Sequence, residues 1–300
     1  MKCLVTGGAG FIGSNLALEL ESQGHEVTVV DNLFSGSKNN LKEFKGEFIC
    51  QDISQWADIR EKFDAIFHLG ANAVTTFPDD IEMFRQNING FLNMLKLAID
   101  NESKFVYASS AAVYGDTPAP SREEGPFNPL NAYGESKLMS DTIAKRFIGR
   151  MHIVGLRYFN VFGPRESFKG SMASMIFQLY QQMKSGKNPR IFNDGRQKRD
   201  HIYVKDIVKA TILAAEAPSG IYNVGTGSAT SFNEIIKCLN EALGTNLEPD
   251  YFDNPYKGRY QDFTQADMAN SGKHLKFKAD FSVKEGVKDY VMWLDDKGDS

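Results

Sequence analysis

Residues 3–13 read Cys-Leu-Val-Thr-Gly-Gly-Ala-Gly-Phe-Ile-Gly, an apolar run that leads directly into a glycine-rich turn. The spacing G-x-x-G-x-x-G is formed by Gly7, Gly10 and Gly13. In a strand–turn–helix unit, the first such glycine permits a tight turn, the second lets the backbone approach a pyrophosphate, and the third allows close helix–strand packing. A helix that begins near Phe11 and Ile12 would point its first N–H groups at those phosphates. The stretch therefore predicts a dinucleotide-binding fold.

The first half of the chain alternates strand-like and helix-like segments. The apolar runs that predict buried strands are Cys3 to Thr6, Glu26 to Val30, Glu47 to Cys50, Ala65 to His68, Phe105 to Ala108 and Ile153 to Leu156. Between the fourth and fifth runs, apolar side chains recur every three or four residues from Ile81 to Ile99, which indicates an amphipathic helix. This alternation predicts an α/β fold: a Rossmann-like doubly wound parallel sheet with helices on both faces.

The predicted domains are interleaved. Residues 1–163 are expected to form an NAD(P)-binding Rossmann domain, with a returning segment near 204–228 because Ile221 to Val224 again resembles a strand. In residues 164–300, Gly, Pro and Asn separate short segments, which indicates a smaller α/β substrate lobe. Ligands of such sheets bind beyond the carboxyl ends of the strands, so we expect the site to lie in a cleft at this edge.

Residues that follow the predicted strands are candidate cofactor contacts. Asp31, at the end of the second strand, would ordinarily bond a ribose 2′-hydroxyl and favour NAD. Asn32 and Lys38 follow in a loop, where Lys38 can pair with the 2′-phosphate of NADP or simply be a solvated lysine. These residues alone leave the choice between NAD and NADP near even. The other candidates, after the third and fourth strands and on the next helix, are Asp52, Ile53, Leu69, Gly70, Ala71 and Asn87.

A serine, a tyrosine and a lysine are the candidate catalytic residues. Tyr133 and Lys137 have the spacing Y-G-E-S-K, and Ser110 precedes them. On a helix, positions i and i+4 share one face, so the phenol and the ammonium can project into one cleft. We expect the cation to lower the pKa of the Tyr133 phenol from its usual value of about 10. Tyr133 can then exchange a proton with a substrate hydroxyl while a hydride leaves the same carbon, and Ser110 can hold the oxygen.

The chain resembles the extended short-chain dehydrogenase/reductases, the family that contains nucleotide-sugar epimerases and dehydratases. The resemblance rests on the segments T-G-G-A-G-F-I-G-S, S-S-A-A-V-Y-G, Y-G-E-S-K, R-Y-F-N-V-F-G-P-R and K-R-D-H-I-Y-V-K-D. It implies that Ser110, Tyr133 and Lys137 are the catalytic trio, with Lys137 also holding the nicotinamide ribose. Dehydratases carry acidic residues just after this serine, where Ala111 and Ala112 stand here. We therefore expect epimerisation rather than dehydration.

Two further segments, Phe168 to Ser174 and Lys257 to Asp267, resemble the ADP-glycero-manno-heptose 6-epimerases of this family. This resemblance implies that Lys169 is a second catalytic acid/base beside Tyr133; the alternative is a surface lysine in a glycine-flanked loop. It also implies NADP as the cofactor, with NAD as the close alternative. The substrate contacts that we expect are Ser110, Asn160, Lys169, Ser171, Arg199 and Tyr260.

The chain departs from the heptose epimerase pattern after the fourth predicted strand. Leu69 stands where those enzymes usually have an acidic residue, and Ala73 and Val74 stand where they have serines. Our first hypothesis is an isomerase that acts as an ADP-glycero-manno-heptose 6-epimerase, and the alternative is a UDP-hexose 4-epimerase. A non-catalytic NAD(P)-sensing protein is the alternative from another class, but it would have no need of the complete catalytic trio.

Composition limits the partners and the compartment that we expect. With 300 residues and a net charge of −4, the chain lacks the basic excess of nucleic-acid-binding proteins. It has no run of roughly 18 apolar residues and no signal-peptide pattern, so we expect a cytoplasmic protein without a membrane partner. The cysteines lack a C-x-x-C spacing and the histidines are scattered, so we expect no metal site. The expected partners are a nucleotide sugar and, from the family resemblance, further copies of the chain in a homo-oligomer.

Overall fold

The computed structural model describes residues 1–55, 59, 61–253 and 263–297. The first elements in chain order are β1 (Lys2–Thr6), α1 (Phe11–Ser22), β2 (Glu26–Asp31), β3 (Glu47–Cys50), β4 (Ala65–His68), α2 (Asp80–Asn101), β5 (Lys104–Ser110), α3 (Ala132–Lys145) and β6 (Ile153–Tyr158). They are followed by β7 (Asn160–Phe162), α4 (Met175–Lys184), β8 (Arg190–Phe192), β9 (Lys198–Arg199), β10 (His201–Tyr203), α5 (Val204–Ala214), β11 (Gly220–Val224), β12 (Thr230–Ser231), α6 (Phe232–Leu243), β13 (Asp250–Phe252) and α7 (Val283–Lys297).

Within these ranges, seven strands form one parallel sheet in the order β11-β6-β5-β4-β1-β2-β3. The chain runs from β1 through β2 to β3 on one side and then returns to β4 on the other side of β1. The crevice at such a reversal of strand order is where open α/β sheets bind ligands. The strand predicted from Ile221 to Val224 lies within β11, which pairs with β6 at the edge of the sheet. The predicted Rossmann-like α/β fold is confirmed.

Alternate side chains of β1 pack on opposite faces of the sheet, as the pleat of a strand requires. Cys3 and Val5 belong to the apolar cluster that also contains residues of α1 and α5. Leu4 belongs to the cluster on the other face, which contains residues of α2 and α3. Burial of apolar side chains on both faces stabilises the sheet and leaves its carboxyl edge available for polar groups.

The C-terminal helices α4, α6 and α7 share a separate apolar core. Helix α6 begins with a capping box, in which the Ser231 hydroxyl accepts the Glu234 N–H at 3.3 Å and the Glu234 carboxylate accepts the Ser231 N–H at 2.8 Å. Phe11, the first residue of α1, also packs in this core, so the start of α1 lies where the two apolar regions meet. No helix in the described ranges is long and apolar enough to cross a membrane.

Candidate active site

A cleft of about 780 Å³ lies at the carboxyl edge of the sheet. This volume is typical of a pocket for a small molecule or cofactor. The predicted residues that line it are Gly7, Gly10, Phe11, Ile12, Gly13, Asp31, Asn32, Asp52, Ile53, Leu69, Gly70, Ala71, Ser110, Tyr133, Lys137, Asn160, Lys169 and Arg199. Residues predicted from distant parts of the chain therefore meet in one place.

The glycine turn has the shape that a pyrophosphate requires. Gly7 has a φ of +67°, and a Cβ atom at this position would lie 2.7 Å from the Gly70 Cα, so a side chain would collide with the turn after β4. Gly10 is the N-cap of α1 and supplies no side chain to bond the first N–H groups of the helix. These groups remain at the cleft, where the positive end of the helix dipole favours an anion. The residues present thus fit a dinucleotide.

Asp31 lies in the cleft, but its carboxylate also holds the glycine turn together. Its Oδ2 accepts the Ala9 N–H at 3.0 Å, and its Oδ1 accepts the Leu33 N–H at 2.7 Å. Burial raises the pKa of this carboxyl, while the two N–H groups lower it. Lys38, a predicted cofactor contact, does not line the cleft in this conformation, and its Nζ lies 5.3 Å from the centroid of the Phe48 ring.

The structure gives Asn87, a predicted cofactor contact, bonding partners within the chain. Asn87 is buried on α2, outside the cleft lining. Its Oδ1 accepts the Asn72 N–H at 2.8 Å, and its Nδ2 donates to the Asn72 carbonyl at 3.0 Å and to the Ser136 hydroxyl at 3.0 Å. The amide therefore ties the loop after β4 to α3, and it is Asn72 rather than Asn87 that lines the cleft.

Asp52, a predicted cofactor contact, also has a structural role. Its Oδ1 accepts the Ser54 N–H at 2.8 Å, which closes a local turn after β3. Asp52 also lines the cleft together with Ile53. The turn thus fixes the backbone while leaving these residues available to a ligand.

Helix α3 places the predicted catalytic residues. Its N-cap is Asn131, whose Oδ1 accepts the Gly134 N–H at 2.9 Å, so Tyr133 lies in the first turn. Lys137 follows one turn later, with its Nζ 5.9 Å from the centroid of the Tyr133 ring and 2.8 Å from the Ala108 carbonyl oxygen, to which it donates. Ser110 ends β5 and lines the same cleft. The structure therefore brings the three predicted residues together.

The expected fall in the pKa of Tyr133 is not seen. Burial raises the pKa of the phenol, and a hydrogen bond with the Ser110 hydroxyl lowers it. Burial also lowers the pKa of Lys137 to about 8, whereas the carboxylate of Asp141 raises it. The physical reason is that the cost of removing both groups from water exceeds the benefit of the nearby charge.

A buried network that the sequence did not reveal supports α3 from beneath. The Arg157 guanidinium on β6 donates to Asp141 at 2.8 Å and to the Tyr114 hydroxyl at 2.9 Å. The Tyr107 hydroxyl on β5 donates to the other oxygen of Asp141 at 2.9 Å. Because Asp141 lies one turn after Lys137 on α3, these bonds fix the helix that carries Tyr133 and Lys137.

Lys169 reaches the cleft from the C-terminal side. It lies in a 3₁₀ turn, Ser167–Met172, and its Nζ is 5.4 Å from the centroid of the Phe11 ring at the start of α1. Burial lowers the pKa of its amine, and the Glu166 carboxylate raises it. The alternative of a surface lysine is wrong, because Lys169 lines the cleft.

The other expected substrate contacts differ in position. Asn160 and Arg199 line the cleft; the Asn160 Oδ1 accepts the Thr264 hydroxyl at 3.0 Å, and Arg199 is buried. Ser171, another predicted substrate contact, does not line this cleft and is exposed on a separate surface groove. The chain turns at Gly170, whose φ of +54° directs the two neighbours apart. Tyr260 lies outside the described residues.

His201 is a cleft residue that the sequence analysis did not identify. Its ring is buried between Phe162 and Phe232, at centroid distances of 6.5 and 5.8 Å. Burial, and to a smaller extent the charge of Arg199, lowers the pKa of the imidazole to about 3. The signal that could have found it is the spacing of two from Arg199, since residues i and i+2 of an extended segment share one side.

The family comparison agrees with this geometry. Residues 3–225 match the NAD dependent epimerase/dehydratase family. The chain belongs to this family. The prediction of an isomerase with a Rossmann fold is confirmed at the level of this epimerase/dehydratase family.

Solved structures similar to this member of the epimerase/dehydratase family include epimerases of different sugars. The Helicobacter pylori ADP-L-glycero-D-manno-heptose-6-epimerase is 38% identical, with 98% of this chain and 96% of that chain covered and a TM-score of 0.93. The UDP-N-acetylglucosamine 4-epimerase of Methanobrevibacter ruminantium M1 is 32% identical, with 99% and 98% covered and a TM-score of 0.92. The UDP-glucose 4-epimerase of Thermotoga maritima is 32% identical, with 99% of both chains covered and a TM-score of 0.90.

Proposed function

We propose that this chain is a nucleotide-sugar epimerase that inverts C6 of an ADP-glycero-manno-heptose. The observation that carries the proposal is that Tyr133 and Lys169 line one cleft from different elements, α3 and the turn before α4. An exocyclic carbon can rotate after oxidation, so its two orientations are served best by separate proton-transfer groups. The similarity to the Helicobacter pylori ADP-L-glycero-D-manno-heptose-6-epimerase supports the same substrate.

In the proposed reaction, the phenolate form of Tyr133 takes the proton of the C6 hydroxyl. A dinucleotide held at the glycine turn would supply the group that accepts a hydride from C6 and gives it back. Ser110 holds the substrate oxygen, and its hydrogen bond to the phenol lowers the pKa of Tyr133 against the effect of burial. Lys169 gives a proton to the oxygen of the rotated carbonyl group as the alcohol re-forms. The substrate regains one proton and one hydride, so the reaction involves no net oxidation, and proton exchange with solvent then resets Tyr133 and Lys169.

Arg199 and Asn160 are proposed to bind the phosphates of the substrate. A guanidinium can bond a phosphate through two parallel N–H groups, which fixes orientation as well as position. Both residues lie on the side of the cleft formed by β7, β9 and β10, with Asn160 paired to His201 in the β7–β10 ladder. A nucleotide held there would leave the sugar free to extend towards Tyr133.

We propose NAD as the cofactor, in place of the NADP that the sequence resemblance implies. The Asp31 carboxylate is buried in the cleft and held by two backbone N–H groups, so a 2′-phosphate beside it would meet a fixed negative charge. Lys38, which was expected to neutralise that phosphate, lies over the Phe48 ring and outside the cleft.

The second candidate is a UDP-hexose 4-epimerase. Ala73 and Val74 line the cleft with apolar groups, which give the sugar fewer hydrogen bonds than the serines of heptose epimerases would. A 4-epimerase can turn a keto-sugar over and use Tyr133 on both faces, so Lys169 would be dispensable. The similarity to two UDP-sugar 4-epimerases supports this candidate.

Proton NMR of the purified chain with each substrate separates the candidates. We expect ADP-D-glycero-D-manno-heptose to be converted at C6 in the presence of NAD, and Lys169→Ala to lower the rate by at least about 100-fold. Lys187→Ala is the matched control, because Lys187 is exposed and outside the cleft. Turnover of UDP-glucose alone, unaffected by Lys169→Ala, would reject the heptose assignment in favour of a 4-epimerase.

A further inference from the structure

The buried carboxylate of Glu166 joins the two ends of the loop that carries Lys169. Its Oε1 accepts hydrogen bonds from the Gly163 N–H at 3.1 Å and the Ser174 hydroxyl at 2.8 Å, and its Oε2 accepts the Ser174 N–H at 2.6 Å. The Glu166 carbonyl oxygen accepts the Lys169 N–H at 3.0 Å. Glu166 thus holds residues 163–174 in a closed loop, and Lys169 is part of that segment.

Burial of a charged group needs a physical compensation. Glu166 is 0% exposed. Its three hydrogen bonds and the N-terminus of α4 offset only part of the free energy needed to remove a carboxylate from water. A neutral residue of similar shape could fill the same space without that cost. The remaining partner is Lys169, whose positive charge lowers the pKa of Glu166 while burial raises it.

Lys169 shares the cleft with other charged groups. Its Nζ lies 5.4 Å from the centroid of the Phe11 ring, whose face attracts an ammonium. The cations Lys137 and Arg199 and the anion Asp31 line the same cleft. Burial lowers the pKa of the Lys169 amine, and the negative charge of Glu166 raises it.

We infer that Glu166 is a positioning residue for Lys169: its carboxylate fixes both ends of the loop that carries Lys169 and places a buried negative charge within that loop. The inference rests on the proposed function, in which Lys169 gives a proton to the substrate oxygen. Glu166 does not touch the substrate in this account. It acts through the loop and through its charge, and its effect is therefore on the proton of Lys169.

Competitive acetylation measures that proton directly, without a substrate. The folded protein is treated with trace acetic anhydride at a series of pH values, and the remaining lysines are labelled with deuterated reagent after unfolding. Mass spectrometry of the peptide that contains Lys169 then gives the pH at which the amine loses its proton. We expect this midpoint to fall by about one pH unit in Glu166→Gln, because the variant keeps the size of the side chain and removes its charge.

Two further variants separate charge from loop order. Glu166→Asp keeps the charge on a shorter side chain, so we expect it to restore at least half of the wild-type midpoint. Ser174→Ala removes one donor to Glu166 but keeps the carboxylate, so we expect the Lys169 midpoint to stay within about 0.3 units of wild type. An unchanged midpoint in a folded Glu166→Gln protein would overturn the inference, and so would an equal fall in Ser174→Ala.

The same experiment distinguishes this inference from the proposed reaction. If Lys169→Ala turns over the sugar at the wild-type rate while Glu166→Gln still lowers the labelling midpoint, the two-base reaction is rejected and the pairing of Glu166 with Lys169 is supported. If the two-base reaction and the effect of Glu166 on Lys169 are both correct, turnover should decline at high pH as Lys169 loses its proton. The pH at which this decline begins should be about one unit lower in Glu166→Gln than in wild type.

Discussion

The Asn87 amide on α2 donates to the Ser136 hydroxyl on α3 at 3.0 Å, and the same hydroxyl donates to the Tyr133 carbonyl at 2.7 Å. Asn87 also holds both backbone polar groups of Asn72 in the loop after β4. One buried amide thus connects the loop after β4, which lines the cleft, to the first turn of α3. Its role is to fix the geometry of both.

Asn87→Ala should destabilise the fold. The change would leave the buried N–H and C=O of Asn72 without the partners that they have in the structure, at a cost of about 3 kcal/mol in the free energy of unfolding. Urea denaturation measures this loss. Asn89→Ala is the matched control, because Asn89 is exposed on the same helix. Similar losses in the two variants would contradict the role given to Asn87.

The sequence predicted the sheet and the catalytic trio because both depend on short-range patterns. Apolar runs place strands, and the i, i+4 spacing places Tyr133 and Lys137 on one face of α3 whatever the tertiary packing. Asn87 could be assigned to a helix, but whether its amide faces a ligand or the chain depends on how α2 packs against Asn72 and α3, which are far apart in sequence.

The placement of Lys38 and the pKa of Tyr133 differ from what the sequence suggested, for related physical reasons. Proximity to Asp31 in sequence suggested that Lys38 shares its cleft, but the loop instead directs the ammonium over Phe48 on β3. For Tyr133, the sequence reveals the neighbouring cation, whereas the opposing cost of burial exists only in the folded cleft. The local sequence shows which residues are neighbours along the chain, but the burial and the tertiary contacts of each side chain arise only when the chain folds.

Tyr133→Phe should abolish turnover while the cofactor still binds. The phenol is the proposed proton acceptor, so its loss should reduce the rate of epimerisation by about 10²- to 10⁴-fold. The ring that remains should keep the packing of α3, and we expect the Kd for NAD to change by no more than about twofold. NMR turnover and calorimetric titration measure the two quantities. Tyr251→Phe, at an exposed tyrosine of β13, should change neither.

A sensor without chemistry would behave differently. It would bind NAD in both the wild-type and Tyr133→Phe forms, and wild type would convert no sugar. Full activity in Tyr133→Phe, with cofactor bound, would instead require another proton acceptor in the cleft.

Asp31→Asn should weaken the preference for NAD. The wild-type carboxylate repels a 2′-phosphate, so we expect NAD to bind at least about tenfold more tightly than NADP, a difference of about 1.4 kcal/mol. Removing the charge should bring the two Kd values closer together, as calorimetric titration with each dinucleotide would reveal. Lys38→Ala should leave their ratio unchanged, since Lys38 lies outside the cleft. A selective loss of NADP affinity in Lys38→Ala would mean that the loop moves to bring its ammonium to the phosphate.

His201 should make the fold sensitive to mild acid. Its pKa is lowered to about 3 in the folded chain, first by burial and then by Arg199, and is about 6.5 in an unfolded chain. As the pH falls below about 6.5, the unfolded chain therefore takes up the proton that the folded chain excludes, and stability is lost continuously down to about pH 3. The slope from this one group is about 1.4 kcal/mol per pH unit.

His201→Phe isolates this contribution from those of other acidic and basic groups. A phenyl ring can occupy the space between Phe162 and Phe232 without binding a proton, so the variant should lose less stability on acidification than wild type does. Urea denaturation at pH 6.5, 5.5 and 4.5 would show the two slopes differing by about 1.4 kcal/mol per pH unit. His274→Phe, at a partly exposed position, controls for the exchange of ring type. Parallel slopes for wild type and His201→Phe would mean that the imidazole gains its proton within the folded cleft, and that its buried position is no barrier to charge.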